Sequence, residues 1–322
     1  MNPTLADFKP LTVAWLIQRV IDDVDANPMT IKPHGESQRA TLHRMQREQI
    51  GKVMAAKLGR HDIIEHCKMR RKKVCAATVK QDISALRGII NHAASTWRDC
   101  EELNCAAFEA AKHHLVKNQL IGKSARRTRL PTADEISRLL DHLAKSDAHK
   151  RTQIKMVPVV AFGLVSARRR GEVVRITHGD VDYEKRVYWV RNLKHPTKKK
   201  GNDKSFTLWP ELEQIIKLQP RLTNDPAERI FPYNGKSVGK RYIDAKKALG
   251  IVNLRLHDNR GEATSKWLLK LGSRDKVRKL VTGHDSEKAF DIYDRRSTED
   301  IMKADETVQR FLNPPPRPSA PV

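Results

Sequence analysis

Apolar residues recur at helical spacing near the start of the chain. Leu11, Val13, Ala14, Trp15, Ile17 and Val20 form one stripe, and Thr78, Val79, Ile83, Leu86, Ile89, Ile90 and Ala93 form a second with polar residues between. A stripe repeating every three to four positions is the buried face of a helix, so residues 1–122 read as a helical domain. The pattern then lapses over Lys123-Ser124-Ala125-Arg126-Arg127-Thr128-Arg129, which is polar and reads as a linker spanning 123–130. A new helix opens at Thr132-x-x-Glu135, a capping-box spacing, followed by Ile136, Leu139, Leu140 and Leu143 on one face.

Further on, Val157 to Ser166 is apolar enough for a buried helix. The period then changes to two: Val187-Tyr188-Trp189-Val190 and Ser205-Phe206-Thr207-Leu208 read as short strands around a basic loop, Lys194 to Asp203. Helical patterns resume to Leu312, and Asn313 to Val322 is Pro-rich and reads as a disordered tail. The expected fold is mainly α with a small antiparallel β-sheet (α+β), in two domains, 1–122 and 131–312. Beyond residue 293, Ile301, Ala304, Val308 and Phe311 make a last apolar stripe. It fits a helix packed on its own domain or one docked on a neighbouring copy.

Composition changes the picture by its charge. Lys and Arg number 62 against 38 Asp and Glu, a formal net charge of +24. Such an excess repels itself unless a polyanion is the normal partner, and nucleic acid fits best, because bound phosphates release their counterions. The linker residues Lys123, Arg126, Arg127 and Arg129 and the cluster Lys68, Arg70, Arg71, Lys72 and Lys73 are the candidate backbone contacts. No apolar run approaches the ~20 residues of a membrane span, so a cytoplasmic protein is expected. Cys67, Cys75, Cys100 and Cys105 show no metal-ligand spacing, and no acidic cluster or Gly-rich phosphate loop is present.

Candidate chemistry lies in the second domain. Arg168, Arg169 and Arg170 precede Glu172; His257 and Arg260 stand three apart; Gly283-His284 marks a turn; Tyr293 comes nine residues after that histidine. Each alone is an ordinary surface or core residue. An Arg-x-x-Glu, a lysine on a β-hairpin, a His-x-x-Arg, a Gly-His and a tyrosine, in that order, resemble the catalytic series of the tyrosine recombinase (phage integrase) family. Arg169 is the arginine that keeps the spacing to Glu172. The sequence departs from the family pattern at Ala167, where glycine is usual, at Arg168, where an apolar residue is usual, and at Val281-Thr282, where two leucines are commoner.

The resemblance implies a site-specific DNA recombinase, encoded by a bacterium or phage and serving a mobile element. It would work without metal or ATP as a tetramer on two double-stranded DNA sites. It casts Tyr293 as nucleophile, Arg169 and Arg260 as a phosphate clamp with His284 as a further donor, His257 as base, and Glu172 as support for the clamp. Lys194, which closes the strand, is favoured as the acid for the leaving 5′-oxygen, with Lys198, Lys199, Lys200 and Lys204 of the same loop as alternatives. Arginine suits a clamp because its planar fork donates paired hydrogen bonds and keeps its charge. The helical domain resembles the family's core-binding domain, with no separate arm-binding domain expected before it. A type IB-like topoisomerase and a non-catalytic DNA-binding protein are the rival readings.

Overall fold

The structure is a computed structural model that describes residues 11–31, 33–103, 105–125, 127, 129–193, 201–283, 302, 306 and 308–310. It divides into two compact units, Met1–Arg126 and Arg127–Val322.

The first unit is helical. Helix α1 (Val13–Ala26) starts where the Thr12 side chain accepts the Trp15 N–H, and it buries Val13, Leu16, Ile17, Val20, Ile21 and Val24. That series keeps to the 3.6-residue period along one face. Helices α2 (Glu36–Arg47), α3 (Arg60–Arg71), α4 (Ala76–Thr96) and α5 (Ala106–Lys117) complete the unit around one core. Only α1 and α4 stand out as apolar stripes. Helix α3 has a weak one, Ile63, Ile64 and Cys67, so packing rather than pattern defines it.

A buried acid ties three of these helices. Asp82 on α4 is 2.8 Å from Arg44 on α2 and 2.8 Å from Arg70 on α3. The basic cluster at 68–73 straddles the last turn of α3 and the turn after it, so Lys68, Arg70 and Arg71 complement that helix's negative C-terminal end.

The second unit opens with α6 (Ala133–Ala148). Thr132 and Glu135 form the reciprocal capping box, with Glu135 N–H donating to Thr132 Oγ1 at 3.1 Å and Thr132 N–H to Glu135 Oε2 at 2.9 Å. Helix α7 (Met156–Ser166) is apolar on nearly every side and runs through the centre of the core.

Strands β1 (Val181–Asp182), β2 (Val187–Val190) and β3 (Lys204–Thr207) pair antiparallel in that order, with Tyr188 opposite Phe206. The two-residue β1 is too short to leave a sequence period. Helices α8 (Pro210–Lys217), α9 (Gly235–Ala248) and α10 (Asp258–Leu271) come next. A π-helical turn, Arg278–Thr282, ends at Gly283 with φ 69°.

Gly283 is required twice over. Its left-handed backbone disfavours a side chain, and a Cβ there would lie 2.8 Å from the Phe206 ring. Of the last apolar stripe, Val308 is buried in this unit's own core, while Gln309 donates to Glu211 at 3.3 Å and Arg310 to Ser137 at 2.8 Å. Residues 313–322 lie outside the described residues, and no helix among those described is long and apolar enough to cross a membrane.

Candidate functional site

Helix α7 delivers the three arginines. It ends at Ala167, which takes the left-handed conformation with φ 56° and so turns the chain sharply. A non-glycine residue pays about 1–2 kcal/mol for that turn. The Ala167 carbonyl is held in place by the Arg260 guanidinium, which donates to it at 2.7 Å.

The three side chains then go three ways. Arg168 is buried: its Nε donates to the Ser166 carbonyl at 3.2 Å, Nη2 donates to the Val281 carbonyl, and its Cζ lies 3.8 Å from the Phe206 ring centre. Arg169 is partly open and bonds Glu172 through Nη1 at 2.8 Å, while its backbone N–H bonds the other oxygen of that carboxylate at 2.9 Å. Arg170 is exposed.

The second motif comes from the start of α10. His257 is the residue before the helix, and its imidazole opens into a cleft of about 660 Å³ that Arg169, Arg170, Lys246, Lys247 and Arg255 also line. No carboxylate lines it, so its donors suit a phosphate rather than a metal cation. Partial burial holds the His257 pKa below the ordinary histidine value, and the Arg260 and Arg169 charges push the same way. The ring is therefore neutral at neutral pH and able to accept a proton.

Arg260 is buried and spans two chain segments: besides its Nη1 bond to the Ala167 carbonyl, Nη2 donates to the Thr282 carbonyl at 3.0 Å. Asn259 accepts a hydrogen bond from the buried Tyr242 hydroxyl at 3.2 Å. Asp258 accepts the backbone N–H of Arg255 at 2.8 Å and the Arg127 guanidinium at 2.6 Å.

Glu172 joins the motifs. Its side chain is 3% exposed; Oε1 meets Arg169 at 2.8 Å and Oε2 lies 3.9 Å from Arg260 Nη1. Burial alone would raise its pKa, but the field of Arg168 and the hydrogen bonds from Arg169 outweigh it and hold the carboxyl below its ordinary value. A depressed acid stabilises the fold above its unfolded pKa of about 4.3, and that contribution is lost as pH falls through the lower folded value. Glu172→Ala strands buried guanidinium charge, so we expect a loss of about 3–5 kcal/mol in urea denaturation at pH 7. A loss under about 1 kcal/mol would mean that the arginines find water instead.

Lys194, His284, Tyr293 and Arg126 lie outside the described residues. Of the candidate backbone contacts, Lys72, Lys73 and Lys123 are exposed. The others are engaged within the chain: Lys68 with Glu65 at 2.7 Å, Arg70 with Asp82, Arg71 with the Val74 carbonyl at 2.7 Å, Arg127 with Asp258, and Arg129 with Glu135.

Sequence reasoning missed the carbonyl clasp, in which Arg168 and Arg260 hold Val281 and Thr282 just before Gly283. The signal was there, a charge at position 168 where the family pattern is apolar. Of the alternative hairpin lysines, Lys204 donates through Nζ to the Gly283 carbonyl at 3.2 Å.

The architecture has counterparts among solved proteins. The Tn1549 transposon integrase, solved with a circular intermediate DNA, superposes with a TM-score of 0.60 at 14% identity, covering 92% of this chain and 99% of that one. A lambda integrase dimer bound to a COC′ core site gives 0.64 at 15% identity, covering 89% and 97%. The fold is that of the tyrosine recombinases.

No family model matches the sequence. Two Haemophilus influenzae proteins named putative integrase/recombinase are 23% and 22% identical over 263 and 261 residues. Each alignment covers 80% of this chain, and the chain spans 66% of the length of the first and 79% of the second. In fold and in sequence the chain is thus similar to integrases and recombinases.

Proposed function

We propose that the chain is a site-specific DNA recombinase. Tyr293 Oη attacks a backbone phosphorus, its proton passes to His257, the phosphorus–5′-oxygen bond breaks, and Lys194 protonates the leaving oxygen. A 5′-hydroxyl of the partner strand then displaces the tyrosine, which regenerates the phosphodiester. Bond count is conserved in each half-reaction, so no ATP is needed. The observation that carries this reading is the Glu172 carboxylate, which meets Arg169 through one oxygen and lies 3.9 Å from Arg260 through the other, beside the cleft that His257 lines. Two arginines fixed in this way meet the charge developing on the phosphoryl oxygens without reorganising. Assembly as a tetramer on two DNA sites is part of the proposal, in line with the lambda integrase tetramer solved on a Holliday junction.

The test is covalent capture. Nicked duplexes of randomised sequence are incubated with the protein in EDTA, and SDS-resistant adducts are recovered and sequenced. Adducts converging on one sequence are the expected result. DNA that is bound but never joined covalently would overturn the proposal and leave a binding protein.

The His257 role makes a separate prediction. Rates measured at low DNA concentration report the pKa of the free protein. Since His257 must be neutral to accept the proton, adduct formation should fall as pH drops through its lowered pKa, with the midpoint below about 6.5. A midpoint at or above that value, or an acid limb that survives His257→Gln, removes the base role.

A further inference from the structure

Arg170 is the arginine that the reaction scheme leaves unused. It lines the same cleft as Arg169 and His257, it is exposed, and no described residue forms a hydrogen bond or ion pair with its guanidinium. An exposed arginine side chain normally keeps rotamer freedom, which it must give up on binding. The side chain lies across α9 at Gly239, where a Cβ would overlap Nη1 and stand 3.2 Å from Cζ. One turn earlier, at Gly235, a Cβ would keep ordinary contacts of 3.6 Å to Val174 Cγ2 and 3.8 Å to Arg170 Nε. The missing side chain at Gly239 thus makes a notch in the helix face that seats a guanidinium.

A helix interior gains from Ala over Gly, so a glycine there calls for a local reason. The seated cation supplies it. Lys246, Lys247 and Arg255 line the same cleft, so the seat faces a basic trough without an acid of its own.

We propose that Arg170 is a further DNA-contacting residue of this chain, gripping a backbone phosphate beside the Arg169–Arg260 clamp from its seat at Gly239. This rests on the recombinase reading only in that duplex DNA is the ligand. It adds a contact where that reading assigns none. A phosphate contact carries no sequence information, so random-sequence DNA is a sufficient probe.

The experiment is fluorescence anisotropy of a labelled duplex of random sequence, about 30 base pairs long, titrated with full-length protein between about 50 and 250 mM NaCl. Arg170→Ala should weaken binding by about tenfold at ~100 mM and lower the slope of log affinity against log salt by about one. Gly239→Ala moves only the far end of a flexible side chain, so its melting temperature should not fall, yet it should weaken binding as Arg170→Ala does. The double variant should be no weaker than either single one, and Gly235→Ala should bind like wild type.

An unchanged salt slope in Arg170→Ala overturns the contact. Wild-type affinity in Gly239→Ala overturns the seat. Wild-type protein that ignores duplex DNA even at ~50 mM salt would sink the recombinase reading itself, a result distinct from either.

Discussion

Tyr293→Phe is expected to erase the covalent adduct altogether, a loss beyond about 10³-fold, while DNA binding stays within a factor of about two. The substitution removes one oxygen and nothing else, so an unimpaired affinity separates lost chemistry from a lost fold. The size of the effect reflects the absence of a substitute. A phenol with a pKa of about 10 is almost wholly protonated at neutral pH, and it attacks only where a base and a cationic field help it. Two of the other tyrosines are sealed in the core. Tyr188 and Tyr242 are each 1% exposed, and burial pushes both hydroxyls further from ionisation. An adduct surviving Tyr293→Phe would therefore direct the search to Tyr183 or Tyr233.

How far the sequence alone could go is visible at particular residues. Helices α1, α4, α6 and α7 have faces or runs regular enough to read directly, and the Thr132–Glu135 box is a local motif whose geometry is set within four residues. Helix α3 and strand β1 escape because their few apolar positions gain meaning only from partners far along the chain.

The candidate site divides in the same way. Arg169 and Glu172 are three apart, so spacing alone pairs them, as the 2.8 Å contact does in space. Arg260 joins them from far along the chain, and only the order of motifs within a family resemblance hints at it. Arg168 shows the limit. As one of three arginines in a row it reads as surface charge, yet it is 3% exposed with its guanidinium over Phe206. Its neighbours along the chain say nothing of the Val281 carbonyl that accepts from it, 113 residues away.

That clasp makes Arg260 a strut, the proposal above makes it a phosphate ligand as well, and Arg260→Lys tests the two roles at once. Lysine keeps the charge, so long-range attraction for DNA is preserved and affinity at low salt should change little. A single ammonium cannot reproduce the fork that places Nη1 on the Ala167 carbonyl and Nη2 on the Thr282 carbonyl, 2.7 and 3.0 Å away. One of the two carbonyls loses its partner in a buried setting, which costs about 1–3 kcal/mol. The segment 281–283 then loosens from the arginine turn, although Arg168 still holds Val281.

For the chemistry the expectation is larger. Removing one well-aimed donor from a developing oxyanion costs roughly 10²–10³ in rate, so adduct formation should fall by that much under single-turnover conditions with saturating DNA. Urea denaturation of the same variant reads the structural part separately. A variant as stable as wild type and impaired only in rate would assign Arg260 wholly to the phosphate. One destabilised by the stated amount but unimpaired in rate would make it a strut and move the clamp's second arm to another residue.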